Sequence, residues 1–128
     1  MILQARFYRS VADVLTIIYN NMFNHGSTVP FDNVAVYARR LGNQLSLHFE
    51  NLTTKPDEEV NEDIRKKLAS NQFQLDHGSG LSKVRNILVG EFGGKSEDFS
   101  AVARNGKCHV DIVLQLDNLL NPYEDTIG

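Results

Sequence analysis

Gly78-Ser79-Gly80-Leu81-Ser82-Lys83-Val84-Arg85-Asn86-Ile87-Leu88 runs a glycine-rich loop straight into a helix. Leu81, Val84, Leu88 and Phe92 recur at three- and four-residue steps, the period of a buried helical stripe, and Gly93-Gly94 ends it. The loop itself has two readings. Its glycines cap and turn the chain, or they let backbone N–H groups at a helix start, backed by the positive end of the helix dipole, approach a phosphate. No Gly-Lys-Ser/Thr follows, so a P-loop is unsupported. The glycines follow a polar loop and not a strand, which removes the dinucleotide-binding reading. Because this loop is read as lying outside the core, a Cβ at Gly80 is expected to cost only modest stability.

Outward from this junction, the chain divides into helices and hairpins. Leu3, Phe7, Val11, Val14, Leu15, Ile18 and Met22 recur with helical period and predict one amphipathic helix from the N-terminus. His25-Gly26-Ser27-Thr28 and Pro30 stop it. Two alternating runs follow, with Val34, Val36 and Ala38 on one face of the first and Leu45, Leu47 and Phe49 on one face of the second. Leu41-Gly42-Asn43-Gln44 turns the chain between them. A charged helix is predicted from Asp57 to about Ala69, with Asp57, Glu58 and Glu59 in its first turn and Arg65, Lys66 and Lys67 in its last. Val60, Ile64 and Leu68 give it only a thin apolar stripe, which predicts a surface helix free to move.

The chain closes with two alternating strands, near 99–104 and 109–116, joined by the hairpin signal Asn105-Gly106. Asp117 onward reads as a short, loosely attached tail. Paired strands with helices between them predict a two-layer α/β (α+β) sandwich. Its sheet is mixed but mostly antiparallel, with helices on a single face and Leu15, Ile18, Leu47, Phe49, Val84, Leu88, Ile112 and Leu114 in one core.

Composition bounds the function. The 128 residues suit a single domain, 1–128, and 41% hydrophobic with 23% charged residues is ordinary globular composition. Apolar runs are only a few residues long, so no membrane contact is expected of this domain. A formal net charge of −3 offers no basic surplus for a phosphate backbone, which disfavours nucleic acid. One cysteine, Cys108, excludes an internal disulfide framework and fits a reducing, cytoplasmic setting. It reads as a small packed residue of a strand, not a nucleophile. His25, His48, His77 and His109 are spread along the chain without metal-ligand spacing, so the sequence gives no zinc site.

Asn20, Asn21 and Asn24 stand in the last turns of the first helix. They line a frayed, solvated helix end, or one of them turns inward. Asn21, three residues after Ile18, edges the core stripe, where an amide oxygen can bind a hard cation such as Mg²⁺. Lys83 follows the glycine loop and is either a solvated surface cation or a phosphate contact.

Taken in order, these features resemble the GHKL superfamily of ATPases, and most nearly its sensor-histidine-kinase branch. Val14 to His25 is similar to the family's N-box helix, and Gly78 to Leu88 is similar to the G2 box and its helix, in the form Gly-x-Gly-Leu-x-x-Val-Arg. Leu45 to Leu52 looks like the strand that ends in the adenine-binding position. The likeness covers about residues 10–116, with 117–128 as tail, and the first strand and helix of a complete family domain are expected to be missing. The resemblance implies a Bergerat-type fold, with ATP and Mg²⁺ as cofactors. It further implies Asn21 as metal ligand, Asn51 at the adenine, and Gly78, Ser79, Gly80, Leu81 and Lys83 around the phosphates. It implies a role in signal transduction beside another protein or domain.

The departures from the pattern are specific. Ile17 stands where many members carry a general base, and an aliphatic side chain neither accepts a proton nor orients water. Asn51 replaces the adenine-binding aspartate. Leu52-Thr53-Thr54-Lys55 lacks the G1 glycines, and the usual threonine of the last hairpin falls near Cys108. These predict Mg·ATP binding with little or no autonomous hydrolysis and no catalytic residue. The alternative is a degenerate pseudo-ATPase kept as a protein-interaction module.

Overall fold

A computed structural model describes residues 2–25, 34–69 and 80–121, without the side chains of residues 2, 21–25 and 121. Strand β1 (Ile2–Leu3) and a 3-10 turn (Ala5–Phe7) lead into helix α1 (Tyr8–His25). Strands β2 (Val34–Leu41) and β3 (Gln44–Leu52) form the first hairpin, and helix α2 (Asp57–Ala69) follows. Helix α3 (Leu81–Asn86) continues through a π-helical turn (Ile87–Glu91) and a 3-10 turn (Ser96–Asp98). Strands β4 (Phe99–Arg104) and β5 (Lys107–Gln115) then lead to the single turn α4 (Leu116–Leu119) and strand β6 (Leu120–Asn121).

The main sheet has the order β2-β3-β5-β4, and every described pairing in it is antiparallel. Turn chemistry sets both hairpins. Gly42 at φ +57° lets Leu41 pair directly with Gln44, and Asn105 and Gly106, at φ +54° and +78°, supply the two successive left-handed residues of a tight hairpin. In the central pair, Leu45, Leu47 and Phe49 stand opposite Leu114, Ile112 and Val110. Alternation therefore gives β3 and β5 one apolar face and one polar face.

Helices cover the apolar face. Val14 and Ile18 of α1, Ile64 of α2, and Leu81, Val84, Ile87, Leu88 and Phe92 of the α3 segment are buried in one cluster with Phe49, Val110 and Ile112. Each fully buried side chain of this kind contributes about 1.5–3 kcal/mol. Phe7 meets Phe92 edge to face, with ring centroids 5.4 Å apart. This is the α+β sandwich that the sequence predicts.

Several local expectations change. Ile2–Leu3 forms a strand, so the N-terminal helix starts at Tyr8 and not near Leu3. Leu15 is 44% exposed, because the buried stripe of α1 runs through Val14 and Ile18 and leaves Leu15 rotated outward. Val36 stands directly opposite Phe49, yet on the edge strand it is 56% exposed.

Residues 117–121, the start of the expected tail, are packed. Leu119 is buried, and β6 pairs antiparallel with β1 in a second, two-stranded sheet.

The charged helix α2 has the predicted bounds but is tied down, not free. The Asn61 amide donates to the Ala103 carbonyl (3.0 Å) and accepts from the Ala103 N–H (2.7 Å), pairing with the open edge of β4 as another strand would. Asp57 Oδ1 accepts from the Gly106 N–H at 2.9 Å. At the other end, Ser82 Oγ donates to the Lys67 carbonyl and Arg85 Nη2 donates to the Leu68 carbonyl, satisfying groups that a helix C-terminus leaves open. A thin apolar stripe is supplemented by hydrogen bonds that periodicity does not display.

Candidate functional site

The sequence centres its candidate site on the start of α3. Gly80 precedes that helix with φ −61° and ψ 18°, a backbone open to any residue, so conformation is not what requires glycine there. Space is. A Cβ built on Gly80 would lie 2.7 Å from Ile17 Cγ2 and 3.0 Å from Ile17 Cγ1 and Cδ1. Real Cβ atoms do not approach so closely, and Ile17 is β-branched on a packed helix, so its methyl groups cannot swing aside freely. The expectation of a modest cost at Gly80 is therefore corrected: this glycine is the contact point between α3 and α1.

Asn51 ends the inner face of β3, opposite Cys108 of β5, and is only 5% exposed. An amide so buried must be satisfied, and its Nδ2 makes a long hydrogen bond, 3.4 Å, to the Leu52 carbonyl among its partners. A carboxamide carries both N–H donors and a carbonyl acceptor, the two kinds of group an adenine edge can pair with. Beside it, burial pushes the Cys108 thiol up, against a smaller opposing effect of Lys67. A thiol held protonated is a packing residue, in keeping with its sequence reading.

Of the other candidates, Leu81 is a buried core residue whose side chain anchors the first turn of α3. Lys83 is exposed, and its Nζ lies 3.7 Å from Asp13 Oδ2 of α1, a second link between the two helices. Asn21 stands in α1 one turn after Ile17; its side chain lies outside the described residues, as do Gly78 and Ser79. The structure thus joins the helix of Asn21 to the glycine junction through Ile17–Gly80 and Asp13–Lys83, and sets Asn51 on the sheet beneath the helical layer.

One group of residues escaped the sequence reading. His48 and His109, without metal-ligand spacing in the sequence, are neighbours on the opposite face of the sheet, on β3 and β5. Each begins a His-x-acid pair, His48-x-Glu50 and His109-x-Asp111, which was the only sign available.

No family model matches the chain, and no curated protein matches it. Among solved structures it is similar to the catalytic domain of histidine kinase ThkA in a nucleotide-free form. The two share 19% identity with a TM-score of 0.59, and the match covers 82% of this chain and 65% of that one. The chain therefore spans just under two thirds of that protein's length. No described helix is long and apolar enough to cross a membrane. With its helices on one face of an antiparallel sheet, the chain has the fold of a histidine-kinase catalytic domain.

Proposed function

We propose that this domain binds a nucleotide as Mg·ATP and does not hydrolyse it at a useful rate. The contact between Ile17 and Gly80 carries the reading, because it sets the helix similar to an N-box against the helix start similar to a G2 box. Asn51 would then meet the adenine edge, while Gly78, Ser79, Gly80 and Leu81 would offer backbone N–H groups to phosphate, with Lys83 adding charge. Asn21 would hold Mg²⁺, whose role is to neutralise phosphate charge. Ile17 sets its aliphatic side chain beside Gly80, and such a group neither accepts a proton nor orients water. The bound nucleotide would serve a partner protein or domain of a cytoplasmic signalling system.

The same observation favours a second reading. An apolar residue wedged at the glycine junction suits a domain that keeps the sandwich as an interaction module without nucleotide. Thermal unfolding with and without Mg·ATP separates the two. Ligand at about 100 times its dissociation constant should stabilise the parent by roughly 2.7 kcal/mol, several degrees for a domain of this size. The shift should vanish in Asn51→Ala, each variant being compared with itself. Absence of any shift in the parent at millimolar ATP overturns nucleotide binding and leaves the interaction module.

A further inference from the structure

On the outer face of the sheet, away from the helices, three ligand atoms converge. His48 Nε2 lies 3.0 Å from Glu50 Oε1 and 3.4 Å from His109 Nδ1, and His109 Nδ1 lies 3.5 Å from Glu50 Oε1. The arrangement follows from register. His48 and Glu50 point the same way along β3, and β5 places His109 directly opposite Glu50 and Asp111 directly opposite His48. The side chains of His48, Glu50 and His109 are 26%, 22% and 12% exposed, so they are held by the sheet yet open to solvent.

A single proton can bridge only one pair of these three atoms. A divalent cation accepts electron density from all of them. Around a tetrahedral ion with bonds of about 2.0–2.1 Å, neighbouring ligand atoms stand about 3.3–3.4 Å apart. The three observed separations bracket that value. His48 is also prepared for the role: its Nδ1 pairs with the Asp111 carboxylate, which fixes the Nδ1–H tautomer and leaves Nε2 to face the cluster. Two imidazoles and one carboxylate suit borderline first-row ions and not the hard, oxygen-seeking Mg²⁺ or Ca²⁺.

We propose that His48, Glu50 and His109 form a Zn²⁺ site on the outer face of the sheet, with Asp111 orienting His48 and a fourth coordination position open to water. The site is independent of the nucleotide reading, since it uses neither α1, Asn51 nor the glycine junction.

Titration of the chelator-stripped full chain with Zn²⁺, followed by calorimetry, tests it, and Co²⁺ serves as the spectroscopic probe. One equivalent should bind, and Co²⁺ should give the intense visible bands of tetrahedral coordination. His109→Ala should weaken binding by about 100-fold or more, and Asp111→Asn by about 10- to 100-fold through loss of orientation alone. Glu50→Gln keeps the size of the side chain and removes its charge, so it tests the site even if His109→Ala fails to fold. Replacing His25 and His77 together should leave binding intact. Absence of stoichiometric Zn²⁺ binding overturns the proposal, as does parent-like affinity in Glu50→Gln and His109→Ala, or loss of binding in the His25/His77 variant.

Discussion

The inner and outer faces of β3 and β5 are made of interleaved residues, yet they do opposite things. Inward, Leu47 and Phe49 meet Ile112 and Val110 under the helices, and the polar pair Asn51 and Cys108 closes the row. Outward, His48 and Glu50 meet Asp111 and His109, and no described helix covers them. The inner face holds the fold by excluding water. The outer face spends little on stability and gathers charge and lone pairs instead. Strand alternation alone produces this division, because successive side chains leave opposite sides of the pleat.

The sharpest way to break the comparison is to truncate neighbours on opposite faces. Phe49→Ala should lower the unfolding free energy by about 3–5 kcal/mol, the cost of a large cavity in a packed core. Glu50→Ala, one residue along and facing outward, should leave the unfolding free energy close to the parent's. Urea denaturation measures both, and comparable losses would refute the assignment of faces.

A smaller effect is expected at the junction of α1 and α3. Gly80→Ala places a methyl group against Ile17 and should cost about 1–3 kcal/mol through overpacking. In an Ile17→Ala background the same substitution should cost much less. A double-mutant cycle without coupling would show that Gly80 is not held by Ile17.

The smallest effect belongs to the outer face and is read through pH, with chelator present. Burial pulls His48 down, but its hydrogen bonds to Asp111 and Glu50 outweigh this and raise it above 6.5. A raised folded value means stability fully present below pH 6.5 and lost as pH rises through that value. The hydrogen bond from His48 holds Glu50 below 4.5 against the opposing effect of burial, so its contribution is present above pH 4.5 and lost on further acidification. The difference in Tm between parent and His48→Gln should therefore be largest between pH 4.5 and 6.5 and shrink above. A difference that does not vary with pH would remove the ionic role of His48.

Much of the helical layer was legible because its signals are local. The inward stripe Leu81, Val84, Leu88 and Phe92 is buried as its spacing predicts, and the positive-φ residues of both hairpins fall at Gly42 and Asn105-Gly106. The site was legible only as separate motifs. Sequence places Ile17 before Asn21 and Gly80 before Leu81, but contact between Ile17 and Gly80 depends on how two helices cross. Rotation of α1 is likewise a packing outcome: Val14 and Leu15 are adjacent and both apolar, and only the shape of the core decides that Leu15 turns outward.

By itself, then, the sequence determined the main helices, the two hairpins of the larger sheet with their turns, and which face of β3 and β5 is apolar. Those properties follow from repeats of two and of three to four residues, set within a few positions of one another. Tertiary structure alone decided the pairing of β1 with β6, the clamp of Asn61 on Ala103, and the meeting of His48 and Glu50 with His109. Each of these joins positions at least 42 residues apart. No local period encodes such a distance, because it is settled by which register and crossing bury the most apolar surface while leaving no buried backbone group unpaired.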